Sequence, residues 1–349
     1  MTIQMAPSTA WRELVAPDEQ ALFEGFAREI AAQQKDVANK ADRKLRRGFH
    51  AKLHAGLTAE FEVLPGLPVH ARYGVFSVPR VFPAVVRFSN GAPESNRDKR
   101  PEPRGIAIKL IGVPGRKLLS GQEDAVTQDF LATSHSVTSA VRNVGQFMAF
   151  IRASRHPATL LFTLSRAVGL GETLRILKAL VGTVVLSKVR SMATEEFSST
   201  APIKLGPHAV KFTIRPAAGT EPAAPRPLTD NFLREELADR LRKADLVLDF
   251  LVQFYMDEIR TPIEDTSVPW RADDTPLVKV AQLRIPRCDL DDARGRALSE
   301  AVDQLSFSPW HATEDHRPLG NVMRARRVAY EASSALRGHR PEPSAIPLN

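Results

Sequence analysis

Cysteine is nearly absent. The 349-residue chain holds one, Cys288, which excludes an internal disulfide framework and any zinc centre built from several thiolates. Uncharged runs of bilayer length are also missing. The most apolar tract, residues 159–190, is broken by Arg166, Glu172, Arg175 and Lys178, and the pieces between them are too short to span. It is read as one or two buried or amphipathic helices, with peripheral contact to a membrane as the lesser reading. The first residues, MTIQMAPSTAW, show no basic stretch followed by an apolar core, so no secretory signal is expected and a cytoplasmic location is. Tyrosine is scarce too, at three residues, so the setting of each one carries information.

What is present is ordinary globular material: 43% hydrophobic and 25% charged residues, enough chain for one large domain or two small ones. The balance is basic, with a net charge of +8 and a sequence pI near 9.8. A nucleic-acid partner would account for that, but the cations are scattered. Only KADRKLRR (40–47) is a cluster, no nucleic-acid motif accompanies it, and none is expected to bind. The other meaning of such a balance is an anionic ligand held inside by a few arginines.

Along the chain, Leu22, Phe23, Phe26 and Ile30 recur at helical spacing, which predicts an N-terminal helical arm over 1–44. Strand signals follow at 57–63, 84–88 and 105–110, and return at 209–215, 246–256 and 277–285 after a helical middle of about 137–200. Such a pattern predicts an antiparallel sheet with helices packed outside and a terminal helix, and closure of that sheet into a barrel would remove its exposed edges. The barrel domain is expected over 45–340. The Pro-containing end, 341–349, is expected to lack order.

Three distant segments carry chemistry-bearing residues. The first is Arg47-Gly48-Phe49-His50-Ala51-Lys52. The second is Arg87-Phe88-Ser89, followed by Pro103-Arg104-Gly105-Ile106-Ala107-Ile108-Lys109. The third is Arg326 with Tyr330 four residues on and Arg337 seven further. In this order and over residues 45 to 337 the chain resembles the catalase superfamily, and more closely its small catalase-related haem proteins. Each motif alone is weak; their joint occurrence is specific.

The resemblance implies an α+β fold, an antiparallel β-barrel of about eight strands with helices packed outside, and a b-type haem with Tyr330 on the C-terminal helix as the iron ligand. A free tyrosine has a pKa near ~10, and the cation of Arg326, one helical turn away, favours the charged form. It assigns Arg47, Arg87 and Arg337 to the haem propionates and Phe147 to a stacking position on the porphyrin, although Phe147 also reads as a core residue of an amphipathic helix. His50 becomes the acid/base group and Ser89 the hydroxyl that orients it. His54 competes, and Arg47 at the family spacing favours His50. Where catalases carry an asparagine the alignment places Ser134, and in place of a phenylalanine pair it places Ser139-Ala140. These departures argue against fast dismutation.

The implied function is a haem-dependent oxidoreductase, a peroxidase or weak catalase, acting on hydrogen peroxide or an organic hydroperoxide with a small-molecule reductant. The alternatives are a fatty-acid hydroperoxide isomerase or lyase on the same site, and a non-catalytic haem- or lipid-binding barrel. The oligomeric state is left open, a homodimer among the options.

Overall fold

The computed structural model describes residues 7–40, 44–134, 140–182, 188–338 and 341–347. Among these, nine strands form one antiparallel sheet: β1 (Leu53–Val63), β2 (Val81–Asn90), β3 (Arg104–Ile111), β4 (Thr127–Thr133), β5 (Phe197–Ser198), β6 (Ile203–Leu205), β7 (His208–Pro216), β8 (Leu246–Phe254) and β9 (Val278–Ile285). The strands run in the order β5-β4-β3-β2-β1-β9-β8-β7-β6, and β5 also pairs with β7. That last pairing, Phe197 opposite Ile214 and Ser198 opposite Thr213, joins the two ends of the row. The result is a closed eight-stranded barrel with β6 as an appendage on β7. Closure leaves no long open edge to recruit another chain.

Alternation explains which face is which. In β8, Leu246, Leu248, Phe250, Val252 and Phe254 point inward to the main core, as the period-two pattern predicts. Phe61, Phe76, Phe130, Phe212 and Phe250 fill the barrel centre. Phe61 and Phe250 meet edge-on at 5.4 Å, and Phe212 stacks on Phe250 at 5.0 Å. Each such ring contributes ~1.5–3 kcal/mol by leaving water. A lumen this full has no room for a ligand, so a functional cavity has to lie elsewhere.

Seven α-helices among the described residues cover the outside: α1 (Glu19–Lys40), α2 (Val144–Ser154), α3 (Leu160–Val168), α4 (Leu170–Leu180), α5 (Phe232–Lys243), α6 (Ala293–Gln304) and α7 (Asn321–Leu336). Helix α1 buries Phe23, Phe26 and Ile30 in a cluster with Met148 of α2 and Ala325 of α7. The start of α7 is pinned by Arg324, whose guanidinium lies among Glu13, Glu19 and Glu264 at 2.6–3.1 Å. Helix α6 lies on β1 at Gly56, where a Cβ would fall 2.6 Å from that of Val302. Only glycine lets the helix approach so closely.

The six strands read from the sequence are present as β1, β2, β3, β7, β8 and β9. Strand β4 escapes the period-two pattern because its Gln128 and Asp129 are buried, both under 3% exposed. Asp129 is paired with Lys109 at 2.7 Å and with His311 at 2.8 Å. Helices α5 and α6 were likewise not anticipated. Near the end of the chain, Glu342 accepts hydrogen bonds from Lys109 Nζ and from Thr127 Oγ1 at 2.6 Å. The buried cation Lys109 draws this part of the tail onto the barrel, where Ile346 packs against the Val85–Val302 cluster.

Candidate functional site

A cavity, partly open to solvent, lies between the outer face of strands β2–β4 and helix α7. Its apolar lining includes Ile30, Phe49, Ile106, Leu131 and Phe307, and its polar lining comes from all three sequence segments.

The first polar group is His50. It sits just before β1 in the left-handed region, φ 58°, held by its backbone N–H on Gly91 O at 3.1 Å and by Arg87 Nη2 donating to its carbonyl at 2.9 Å. Its Nδ1 pairs with Ser89 Oγ at 3.1 Å. The ring lies flat against β3 because residue 105 is glycine: a Cβ there would sit 2.5 Å from Nδ1. Burial, then the charges of Arg87, Arg326 and Arg47, push the His50 pKa down to about 3. The imidazole is therefore neutral, and the remaining accessible surface of the residue faces the cavity. Thr200, also on the cavity wall, is the other non-glycine residue with positive φ among the described residues, at 66°. Backbone strain of this kind concentrates at functional sites.

The second group is a set of guanidiniums. Arg47 Nη1 and Arg87 Nε donate to Asp303 Oδ1 at 2.8 and 3.1 Å, and Arg337 is near enough to act on the same carboxylate. Burial works to raise the Asp303 pKa, and Arg87, Arg47 and Arg337 outweigh it, so that it is lowered. Burial presses the arginines the other way: Arg47 is depressed by desolvation, Arg87 and Arg337. Three guanidiniums around one carboxylate leave two positive charges uncompensated at low dielectric, which is costly. Arg337 Nε is also buried without a hydrogen-bond partner. A dianionic ligand would neutralise these two charges.

The third group is on α7. Arg326 Nη2 donates to Tyr330 Oη at 2.9 Å, and its guanidinium carbon lies 5.1 Å from the ring centre. Both residues line the cavity, as does Arg337 just beyond the helix.

Seven of the nine residues singled out from the sequence therefore share one wall-to-wall space: Arg47, His50, Arg87, Ser89, Arg326, Tyr330 and Arg337. Two do not. Ser134 is fully buried, its Oγ accepting from Arg104 N at 3.1 Å, and it faces away; the neighbour that lines the cavity is Thr133. Phe147 lies one layer back, its ring 6.1 Å from that of Phe49, and Phe49 is the aromatic on the wall. His54 is outside the cavity, paired with Asn90 Oδ1 at 2.7 Å in a buried network with Asp98 and Arg104. Ser139 falls outside the described residues. Asp303 was not foreseen; a lone acid in an unread helix gives no signal before the fold is known.

A row of residues crosses four strands beneath the cavity. Ser89 is opposite Gly105, Gly105 opposite Thr133, and Thr133 opposite Ser198. All four line it, and no asparagine or glutamine does so among the described residues.

No family model matches the sequence, and no curated protein matches it. Solved structures do. A fungal catalase superposes with a TM-score of 0.64 at 17% identity, covering 100% of this chain and 69% of its own. Catalase A from Saccharomyces cerevisiae gives 0.62 at 15% identity, covering 100% of this chain and 70% of its own. The chain has a catalase-like fold. A bacterial catalase agrees, at 0.61 and 16% identity over 100% of this chain and 67% of its own. Identities this low establish the catalase-like barrel with its surrounding helices and leave the chemistry to be argued from the residues.

Proposed function

We propose that the protein is a haem-dependent oxidoreductase that consumes peroxides, a peroxidase rather than a fast catalase. One observation carries this reading: Arg47, Arg87 and Arg337 surround a single carboxylate in the same cavity that holds the Arg326–Tyr330 pair and the His50–Ser89 pair. A b-type haem is a flat apolar disc with two propionates and an iron. The two uncompensated charges beside Asp303 match the propionates, and the apolar wall residues match the disc. Tyr330, with the Arg326 cation on its oxygen, would ligate the iron as phenolate.

When bound, the haem supplies the redox-active iron at which the peroxide O–O bond is broken. The chain does the rest. Ser89 engages His50 Nδ1 and leaves Nε2 for the ligand. A histidine held neutral can accept the peroxide proton there and return it to the departing oxygen, a step that contributes ~10²–10⁴-fold. Gly105 keeps the ring against the wall, and Phe49, Leu131 and Phe307 exclude water.

The lining by hydroxyls and apolar side chains, with no amide, favours a second reading on the same site: rearrangement or cleavage of a fatty-acid hydroperoxide. Absorption spectra of the purified protein test the shared premise. Haem bound at one per chain with a phenolate-type ferric spectrum is expected. Tyr330→Phe should lose the haem or that spectrum, and Arg326→Leu should weaken ligation by removing the cation that donates to the Tyr330 oxygen. An unchanged spectrum in Tyr330→Phe refutes the assignment.

A further inference from the structure

Helices α3 and α4 take no part in the cavity, and they are apolar on two sides. Their inner side is ordinary core: Leu164, Thr173 and Ile176 are completely buried beside Val141 and Ala153. On the outer side, Leu161 is 50% exposed, Phe162 66%, Leu170 60%, Leu174 55% and Val181 49%. Leu170, Leu174 and Val181 follow one another at helical spacing, with Lys178 in the same stripe. A helix that is hydrophobic all round is normally covered on every side, so this outer face lacks its cover.

Charge says what the cover is. Residues 151–190 contain seven lysines and arginines and one carboxylate, Glu172, so this stretch carries +6 of the net +8 of the chain, of which Arg152 is paired with Glu29 of α1. The carboxylate is already engaged: Arg175 at 2.6 Å and Arg142 and Gln146 at 3.0 Å hydrogen-bond it. The first of these, Arg175, leads in pushing its pKa down to about 2. Arg155, Arg166, Lys178, Lys188 and Arg190 are exposed. Apolar side chains flanked by unopposed cations match the acyl boundary and headgroups of an anionic bilayer. A second copy of the chain would set one cationic face against another. A nucleic acid would satisfy the cations and leave Leu161, Leu170 and Leu174 in water.

We infer that the α3–α4 face docks on anionic lipid surfaces, lying in the plane of the headgroups. It does not span, because no helix among the described residues is long and apolar enough to cross a membrane. Docking sets the cavity one helix from the bilayer, since α2 beside this face presses Phe147 onto Phe49 of the cavity wall. The inference stands on surface chemistry and is independent of haem.

The test is co-sedimentation of the full chain with vesicles of phosphatidylcholine alone and of phosphatidylcholine mixed with phosphatidylglycerol. Wild type should bind the mixed vesicles, bind the neutral ones poorly, and release in high salt. Phe162→Asp with Leu174→Asp should weaken binding at least ~10-fold by removing buried apolar area, and Lys178→Glu by ~5-fold or more. Val69→Asp, at a residue 75% exposed elsewhere, should change nothing. Circular dichroism checks that each exposed-site variant is folded. Failure of wild type to bind, or equal binding by wild type and Lys178→Glu, overturns the inference. So does a wild-type dimer that Phe162→Asp dissolves without any vesicle binding, which would make the face a contact between copies.

Discussion

The imidazole of His50 fills the space a side chain would occupy at Gly105: a Cβ on that residue would lie 2.5 Å from Nδ1, 2.6 Å from the ring carbon beside it and 3.0 Å from Ser89 Oγ. The glycine is therefore part of the histidine's position, and the pair with Ser89 exists because β3 is bare at this point. Gly105→Ala should displace the ring, break the His50–Ser89 hydrogen bond, and cost ~1–3 kcal/mol by overpacking. Urea denaturation measures the cost. On the proposed function, peroxide-dependent dye oxidation should fall in the variant that remains folded. An alanine tolerated in both measurements would show that the ring is not held there.

Acid should weaken the fold in a particular window. Burial is the leading cause that lowers His50 to about 3, and His54 and His316 to about 4 each. These groups are neutral in the folded state and titrate near ~6.5 when unfolded. Between those values the unfolded chain binds more protons, so stability rises with pH there and is lost as pH falls from about 6.5 toward 4. Each histidine contributes a slope of ~1.4 kcal/mol per pH unit inside its window. Urea midpoints recorded across this range should show the steep arm. His316→Gln should flatten it by one proton, and a slope unaltered by that change would exclude His316 as a contributor.

Asp303 is the only carboxylate that hydrogen-bonds Arg47 and Arg87 among the described residues. Asp303→Asn leaves three neighbouring guanidiniums unopposed. With its side chain 29% exposed, solvent softens the loss, and ~2 kcal/mol of destabilisation is expected rather than the ~3–5 kcal/mol of a fully buried pair. The same variant should prefer dianionic ligands more strongly. On the proposed function, the ratio of affinities for haem and for its dimethyl ester should grow. A ratio that stays fixed would place the propionates elsewhere.

Much of this site was legible before the fold was, because its residues are chemically unusual where they stand: an arginine one turn before a scarce tyrosine, a histidine three residues after an arginine, a serine on a strand behind another arginine. Ser134 and Phe147 lie off the cavity wall for different physical reasons. Strand side chains alternate, so a displacement of one residue reverses the face. Ser134 and Thr133 differ by that single step, and Thr133 is on the cavity side because it pairs with Gly105. Phe147 and Phe49 differ by one packing layer, which helical periodicity does not resolve. Asp303 lies on α6, whose approach depends on Gly56, 247 positions earlier in the chain. A contact so distant in sequence leaves no local pattern.

The identity of the residue opposite Gly105 leads to the last prediction. In the dismutation of hydrogen peroxide a second peroxide molecule has to be held close to the histidine while it gives up its hydrogens. The resemblance to catalases gives that task to an asparagine, and the cavity offers hydroxyls instead, with Thr133 beside Gly105 and Ser198 beyond it. A threonine reaches less far than an amide and has one donor rather than two. A reacting atom misplaced by about 1 Å can cost ~10²-fold, so on the proposed function oxygen evolution should be slow while dye oxidation proceeds. Thr133→Asn puts an amide on the cavity wall and should raise oxygen evolution from hydrogen peroxide by ~10-fold or more. Ser134→Asn should not, because Ser134 is buried against Arg104 N, and a larger group there should cost stability instead. Measuring oxygen release, dye oxidation and fatty-acid hydroperoxide consumption side by side separates the outcomes. If wild type already releases oxygen far faster than it performs the other two reactions, the hydroxyl wall suffices for dismutation, and the protein acts as a catalase despite it.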